Sequence, residues 1–412
     1  MKTSSCWKTS TRGEDNSFPI EGFTEDAHIK LISKLNEHGR NSLYKFDTRT
    51  MTITETLFSH ERYDYSSYRN APNTNKVVAV NYIAQGLETH YLDDVIEAEA
   101  AGLETLFPGY LSRVVSRTRD GNKLIVRGAS ADKSSTYYYI DLAEGIASEI
   151  SPVYPSLADV EMPMPSSIIY SARDGLEIPG YLTKPLAEDD QPGPMIVFPH
   201  GGPNSRDTLR FDPWVQYFAS RGWSVLQMNF RGSTGYGDQL QEKGYKEWGL
   251  AMQDDITDGV KWAIAEGIAD PSRICIVGIS YGGYAALEGV VKTPDLYECA
   301  IGVNGVYDLD ARRHQMKRYV GYHVWQDYMT FENPNALSPT KNVEAIKVPV
   351  MIAFTEDDRV VNERQSQELI SALKRKKKSH VALELKEGGH SLKRRQIVSN
   401  SSKPWINSYN NI

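Results

Sequence analysis

Two patterns of apolar and polar positions divide the chain near residue 160. Between about residues 40 and 150, short runs rich in β-branched and aromatic residues alternate with polar turns, as in antiparallel strands. After the proline-bearing segment 161–165, apolar strand-like runs alternate with segments of helical spacing. We therefore predict an all-β region over residues 1–160 and an α/β domain over residues 161–412.

The first region shows a weak internal repeat. Strand-like runs end at Asp47, Asp93 and Asp141, which are 46 and 48 residues apart. That spacing is typical of one β-propeller blade, at roughly 40–50 residues. We predict a partial propeller of about three blades, with an irregular all-β domain as the alternative. Three blades do not close a ring, so their edges would need cover from a partner or further sequence.

In the second region, strand-like runs alternate with helical segments, a pattern typical of a mainly parallel sheet with helices on both faces. Residues 168–171 and 176–182 flank Asp174-Gly175 and predict a hairpin. Apolar positions from Met252 to Ile264 recur at helical spacing, and Asn362 is predicted to cap a helix running to Lys378. The predicted strands are 195–198, 224–228, 274–277, 300–303, 348–354 and 381–385.

The sequence Gly278-Ile279-Ser280-Tyr281-Gly282 matches the G-x-S-x-G pattern of a nucleophile elbow. A β-branched run enters it and a small-residue helical segment leaves it. In such a turn the serine hydroxyl stands clear of the sheet edge, and glycine is needed at both flanks because the backbones approach closely. We therefore predict that Ser280 is a nucleophile; the alternative is a tight turn with an incidental serine.

A serine hydroxyl needs a base within hydrogen-bond reach, and that base is oriented by an acid. Among the histidines after Ser280, His390 follows the last predicted strand in a glycine-rich loop, whereas His380 begins that strand. The loop after the preceding strand contains Asp357 and Asp358. We predict His390 as the base and Asp357 as the acid, with Asp358 as the rival.

An oxyanion that forms during acyl transfer needs hydrogen-bond donors already aimed at it. The Tyr281 backbone N–H begins the elbow helix, and His200-Gly201-Gly202-Pro203 follows the strand 195–198. We predict the N–H groups of Tyr281 and Gly202 as the two donors. His200 is interpreted as a positional residue and not as a base.

Taken together, these motifs resemble the prolyl oligopeptidase family of serine peptidases, closest to its acylaminoacyl-peptidase and dipeptidyl-peptidase-like branch. The motifs are 200–203, 229–237, 278–284 and 357–361, in that order along the chain. The resemblance implies an α/β-hydrolase domain behind a propeller, and cleavage of short or N-acylated peptides without metal or cofactor. It also implies the triad Ser280, Asp357 and His390, and Arg359 as a ligand of a substrate carbonyl; a salt bridge within its own loop is the alternative for Arg359.

The chain departs from the family pattern in three places. The propeller region is shorter than usual, His390 is followed by Ser391-Leu392 where Gly-Phe is common, and Asn362 stands where proline is frequent. The short propeller leaves gating and N-terminal recognition open. An esterase acting on small acyl esters, or a non-catalytic scaffold or gene fragment, are therefore kept as alternatives.

Composition excludes several other classes. The 412 residues are 40% hydrophobic and 24% charged, and the formal charge of −7 argues against nucleic acid as a partner. No stretch of about 18 apolar residues predicts a membrane span. The three cysteines, Cys6, Cys275 and Cys299, predict neither a disulfide framework nor a zinc site, and Cys275 is expected to be a buried small hydrophobe. We predict a cytoplasmic protein with no cofactor and leave a homo-oligomer open.

Overall fold

The N-terminal region is built of three antiparallel sheets. The structure, a computed structural model, describes residues 18–187, 191–318 and 328–392, together with 322 and 326. The first sheet contains β1 (Ile20–Phe23), β2 (Ile29–Leu35), β3 (Asn41–Asp47) and β4 (Thr52–Phe58). The second contains β5 (Tyr65–Asn70), β6 (Val77–Ile83) and β7 (Leu87–Tyr91), and the third contains β8 (Leu111–Arg117), β9 (Lys123–Ala129), β10 (Thr136–Asp141) and β11 (Ile146–Pro152).

The first two sheets pack against each other through a small apolar cluster. Leu31, Leu43 and Phe58 of the first sheet meet Val77 and Val80 of the second. The helix α1 (Asp94–Leu106) places Leu103 against Leu124, Val126 and Ile140 of the third sheet. Two of the three predicted aspartates end strands, since β3 ends at Asp47 and β10 at Asp141, whereas Asp93 instead caps α1.

The C-terminal region is organised around one eight-stranded mixed sheet. Its order is β12-β13-β15-β14-β16-β17-β18-β19. The pairs β12–β13 and β13–β15 are antiparallel, and all pairs from β15–β14 onward are parallel. The bounds are β12 (Ser166–Ser171), β13 (Glu177–Thr183), β14 (Gly193–Val197), β15 (Ser224–Met228), β16 (Ala269–Ile279), β17 (Cys299–Val303), β18 (Val350–Thr355) and β19 (His380–Leu385). The predicted α/β class with an all-β region before it is confirmed. The domain division at residue 160 falls between the sheets and stays a prediction.

Helices cover both faces of this sheet. They are α2 (Pro213–Ala219), α3 (Asp238–Glu242), α4 (Ala251–Ala265), α5 (Tyr281–Lys292), α6 (Leu309–Met316) and α7 (Arg364–Arg375). Alternate residues of β16 point to opposite faces: Ile274 and Ile276 join the core with α4, α5 and α7, whereas Val277 joins the core with α2. Burial on both faces explains why the central strands read as continuous apolar runs.

The helix predicted over 362–378 is shorter than expected. It begins at Arg364 and ends at Arg375, with Glu363 as its N-cap residue. Asn362 lies before the cap, where its Oδ1 accepts the Arg364 N–H and its carbonyl accepts the Gln365 N–H. The C-terminal end is set by Lys377, whose φ of 53° is left-handed, while the Lys376 N–H closes the last turn on Ala372. The basic residues at this end carried no signal for that backbone reversal.

The all-β region and the sheet domain meet at the loop after β14. Arg206 in that loop donates to the carbonyls of Ile83 and Ala84, and the Leu209 N–H donates to the Gln85 carbonyl at 2.7 Å. From the sheet itself, the Tyr181 hydroxyl also donates to Gln85. The loop that follows the predicted oxyanion residues is therefore held by the N-terminal sheets.

The prediction for Cys275 is wrong in one respect. Cys275 is buried as expected, yet it forms a disulfide with Cys299, and the two Cα atoms are 4.7 Å apart. The two residues are direct neighbours in the register of the parallel strands β16 and β17. Cysteine spacing alone did not indicate the pairing because strand register is a tertiary property. Cys6 lies outside the described residues.

Candidate active site

The segment 278–282 forms a sharp turn between β16 and α5. Ser280 has φ 61° and ψ −119°, a left-handed conformation that is uncommon for a non-glycine residue. A β-carbon on Gly278 would overlap the backbone of Gly282, and one on Gly282 would overlap the Pro199 carbonyl. The glycines are therefore required by close backbone approach, and the strained serine stands at the start of a helix.

The loop after β14 packs directly against this turn. A β-carbon placed on Gly201 would lie 3.5 Å from the Ser280 β-carbon and 3.2 Å from the Ile279 carbonyl oxygen. The next residue, Gly202, has φ 122°, which is strained for any residue with a side chain. Tyr281 is the first residue of α5, and N–H groups in a first helical turn have no acceptor within the helix. The structure thus brings the segments of both predicted oxyanion donors next to Ser280.

His200 is built into the base of this loop. Its ring stacks on Phe230 with centroids 4.3 Å apart, and its Nε2 lies 2.9 Å from the Ser233 hydroxyl oxygen. Its Nδ1 lies 2.7 Å from the Gly201 carbonyl oxygen. Burial lowers the pKa of His200 to about 4, so the ring is neutral at physiological pH. These contacts fit the interpretation of His200 as a positional residue.

His390, the base predicted from the sequence, is paired with Asp358, the residue that follows the predicted acid Asp357. His390 Nδ1 donates to Asp358 Oδ2 at 2.7 Å; the histidine side chain is 20% exposed and that of Asp358 only 1%. Asp357 was predicted to take this place. Its carboxylate instead accepts the N–H groups of Gly389, at 2.7 Å, and Gly388, at 3.3 Å.

The turn after β18 explains this difference. Asp358 Oδ1 accepts the N–H groups of Val360 and Val361, at 2.7 and 3.0 Å, which leaves Oδ2 for the ring of His390. The Asp358 N–H itself turns back to the Thr355 carbonyl. Asp357 consequently supports the backbone of the histidine loop, and Asp358 contacts the imidazole.

Arg359 follows Asp358 directly and is exposed. Guanidinium groups carry five N–H donors in a fixed fork that suits carbonyl and carboxylate acceptors. The role suggested by the resemblance, binding a substrate carbonyl, therefore stays a prediction.

The motif 229–237 supports the loop after β14, which carries the predicted oxyanion donor Gly202; the sequence did not assign this role to the motif. Asn229 Oδ1 accepts the Asp207 N–H at 2.7 Å, and Asn229 Nδ2 donates to the Asp207 carbonyl and the Tyr236 hydroxyl. The Arg206 guanidinium lies over the Tyr236 ring, 3.9 Å from its centroid. These residues bind the loop after Gly202 to the motif and, through Arg206, to the N-terminal sheets.

Arg231 of the same motif forms a buried ion pair. Its Nε and Nη2 donate to the two carboxylate oxygens of Asp255 at 2.8 and 2.7 Å, and its backbone N–H donates to the same residue. Asp255 lies in the middle of α4 and is fully buried. The two parallel hydrogen bonds to the guanidinium compensate the cost of burying the Asp255 carboxylate. The ion pair therefore anchors the motif to α4.

The elbow helix α5 buries a carboxyl group without a hydrogen-bond partner for one oxygen. Glu288 is 3% exposed, and its Oε2 has no partner among the described residues. Burial raises the pKa of Glu288 to about 8, although Lys292 one turn later acts in the opposite direction. The carboxyl group is therefore protonated in the folded protein at neutral pH.

This burial predicts a pH dependence of stability that Glu288→Gln removes. The unfolded chain releases the Glu288 proton near pH 4.5 and the folded chain near pH 8, so the free energy of unfolding falls as pH rises between these values. Between pH 4.5 and 8, the free energy of unfolding of Glu288→Gln should fall by on the order of 4 kcal/mol less than that of the wild type, because each unit of pKa difference corresponds to about 1.36 kcal/mol. Urea unfolding at several pH values measures it.

Exposed Glu266 offers the matched control, since Glu266→Gln removes a carboxyl group that water already solvates. This variant should keep the wild-type slope. Part of the slope belongs to Asp207, whose pKa burial raises to about 7, and this part should persist in both variants. Parallel stability curves for Glu288→Gln and the wild type would contradict the prediction.

Within residues 18–187, 191–318 and 328–392, no group of three or more histidine, cysteine or acidic side chains is placed to hold a metal ion. No helix in the same part of the chain is long and apolar enough to cross a bilayer.

Comparison with known proteins points in one direction. A dipeptidyl aminopeptidase BIII from Pseudoxanthomonas mexicana is 30% identical over 372 residues, which cover 86% of this chain and 54% of the relative. A dipeptidyl peptidase family member 6 from Caenorhabditis elegans is 27% identical, over 83% of this chain and 50% of the relative. The chain thus spans about half the length of these curated relatives.

A solved structure shares the fold. An acylaminoacyl peptidase from Pyrococcus horikoshii superposes with a TM-score of 0.71 at 20% identity, over 96% of this chain and 63% of that one. The model of the prolyl oligopeptidase family matches residues 209–407, a range that includes Ser280, Asp358 and His390. Together with the elbow, the histidine–aspartate pair and the sheet order, these matches show that residues 209–407 belong to the prolyl oligopeptidase family.

Proposed function

We propose that this chain is a serine hydrolase that cleaves short or N-acylated peptides through an acyl-enzyme. The observation that carries the proposal is the 2.7 Å hydrogen bond between His390 Nδ1 and Asp358, formed by loops at the same sheet edge as the Ser280 elbow. The relatives named for dipeptidyl and acylaminoacyl peptidase activity support the substrate class.

The proposed chemistry assigns one step to each group. His390 Nε2 takes the Ser280 hydroxyl proton as the oxygen attacks the scissile carbonyl, and Asp358 holds the ring in the tautomer that makes this possible. The N–H groups of Gly202 and Tyr281 stabilise the oxyanion. The ring then gives the proton to the leaving amine as the C–N bond breaks, which leaves the acyl-enzyme. Water, deprotonated by the same ring, attacks the acyl carbon, and the acid leaves as Ser280 regains its proton.

Four further assignments belong to the proposal. Arg359 holds a substrate carbonyl near the acid loop, and no metal or cofactor takes part. The cytoplasmic location stays a prediction, and the Cys275–Cys299 disulfide is of a kind that is rare in reducing compartments. A homo-oligomer remains an open part of the prediction.

A fluorophosphonate probe tests the proposal on the whole chain. The probe forms a covalent bond with an activated serine oxygen, so we expect stoichiometric labelling and a modified peptide that contains Ser280. Peptide p-nitroanilides and p-nitrophenyl acyl esters are then compared as substrates.

The possible outcomes separate the candidate functions. Turnover of both substrates supports a peptidase, because esters are the easier substrates for the same chemistry. Ester turnover without peptide turnover contradicts peptide cleavage and leaves an esterase. If the chain is not labelled and turns over no substrate, a non-catalytic scaffold is the remaining candidate.

A further inference from the structure

Asn304 follows β17 directly and occupies an unusual position. It is 2% exposed and has φ 46°, a left-handed conformation that asparagine tolerates better than most non-glycine residues. Its N–H donates to the Ala353 carbonyl at 2.9 Å and so continues the pairing of β17 with β18. The backbone therefore fixes the direction in which its carboxamide points.

The carboxamide joins the two loops that carry the acid and the base. Oδ1 accepts the Thr355 N–H at 2.9 Å, and Nδ2 donates to the carbonyl oxygens of His390 at 3.1 Å and Gly389 at 3.4 Å. The orientation of the amide is unambiguous, because an N–H requires an acceptor and two carbonyls require a donor.

The neighbouring contacts tie the same point to the nucleophile. The Ser280 N–H donates to the carbonyl of Val303, the residue before Asn304, at 2.9 Å. Thr355 Oγ1 also donates to the Gly389 carbonyl at 3.1 Å, and Thr355 is the last residue of β18 before the acid loop. The end of β17 therefore lies in hydrogen-bond contact with the segments of all three proposed catalytic residues.

We propose that Asn304 is a positioning residue that sets His390 against Asp358 and Ser280 by holding the histidine loop to the end of β18. The inference rests on the proposed function of these three residues. A glycine-rich loop such as Glu387-Gly388-Gly389-His390 has little backbone preference of its own, so its placement depends on such bonds. Asn304 touches neither substrate nor the reacting atoms in this role; it acts through the two loops.

The test compares the wild type with Asn304→Gly, measuring kcat and KM for a peptide or ester substrate. Glycine accepts φ 46° without strain, so this variant removes the carboxamide and leaves the backbone conformation available. We expect kcat to fall by about 10- to 100-fold, as when a reacting group is displaced by about 1 Å, and KM to change by less than about threefold. Asn304→Asp, which keeps the acceptor and the size but loses the amide donors, should show a similar loss if the glycine variant is too unstable to purify.

Gln365 provides a matched control, because it is also a buried carboxamide that bridges backbone groups. Its Oε1 accepts the N–H groups of Tyr307 and Asp308, and its Nε2 donates to the Asp308 carbonyl. Gln365→Leu should lower the melting temperature and leave kcat within about twofold, since its bonds do not reach the acid or histidine loops.

A spectroscopic readout separates positioning from general destabilisation. The proton in the short His390–Asp358 hydrogen bond should give a far-downfield NMR resonance, absent in Asp358→Asn, lost or broadened in Asn304→Gly and kept in Gln365→Leu. Wild-type-like kcat and resonance in Asn304→Gly, or equal losses in Gln365→Leu, would overturn the inference. Absence of labelling and turnover in the wild type would refute the proposed function instead, while the resonance would still report on Asn304.

Discussion

Replacing Ser280 by alanine is expected to lower kcat for peptide hydrolysis by about 10⁶-fold and to abolish fluorophosphonate labelling. The oxygen of this side chain is the only atom of the residue that the proposed chemistry uses. The side chain makes no capping hydrogen bond at the start of α5, so its removal leaves the helix contacts in place. Turnover of a peptide p-nitroanilide and of an acyl ester measures the effect.

Folding of the Ser280→Ala variant is verified separately by its melting temperature, which should stay within a few degrees of the wild type. Ser371→Ala serves as a second serine control: its exposed hydroxyl donates to the Gln367 carbonyl within α7 and lies outside the proposed site, so labelling should persist. Residual turnover well above that of buffer is expected from the oxyanion donors and binding alone. A fall in kcat of less than about tenfold would remove Ser280 from the role of nucleophile.

Much of the fold could be predicted because local patterns agree with the tertiary structure. The strand predicted over 224–228 is β15 to the residue, and the run 274–277 lies in the centre of the longer strand β16. Central parallel strands are buried on both faces, so they leave an uninterrupted apolar signal. The glycines of the elbow were equally informative, since close backbone approach excludes other residues.

Features that depend on turn geometry or register were not available from the sequence. The disulfide between Cys275 and Cys299 requires the relative offset of two strands, which no local pattern specifies. The exchange of roles between Asp357 and Asp358 requires the dihedral angles of one turn. Both carboxylates had the right chemistry and the right loop, so chemistry alone could not distinguish them.

Asn304 was overlooked for a related reason. A single asparagine after a strand is most often read as a turn residue. The three partners of the Asn304 side chain lie at the end of β18 and in the histidine loop, about 50 and 85 residues further along the chain. One signal was present: a polar residue directly after a buried parallel strand, at the sheet edge where the catalytic loops gather.

The choice between the two aspartates gives the second large prediction. Asp358→Asn should lower kcat by about 10⁴-fold, since its amide can present a donor where His390 needs an acceptor and so favours the wrong tautomer. Asp357→Asn should lower kcat by less than about tenfold, because an amide oxygen can still accept the Gly389 N–H. Both changes remove one negative charge and keep the side-chain size, so each is the control for the other.

The ranking of these two variants decides which carboxylate orients the base. Asp358 is buried and uses both oxygens, one on the backbone of its own turn and one on the imidazole, whereas the motif shared with the family assigns the role to Asp357. If Asp357→Asn were the slower enzyme, the acid would be the residue of the family motif, and the ring would pair with it during turnover. With Asp358→Asn the slower, the buried turn observed here is the catalytic arrangement, and its loss should also weaken labelling of Ser280 under conditions in which Asp357→Asn labels at the wild-type rate.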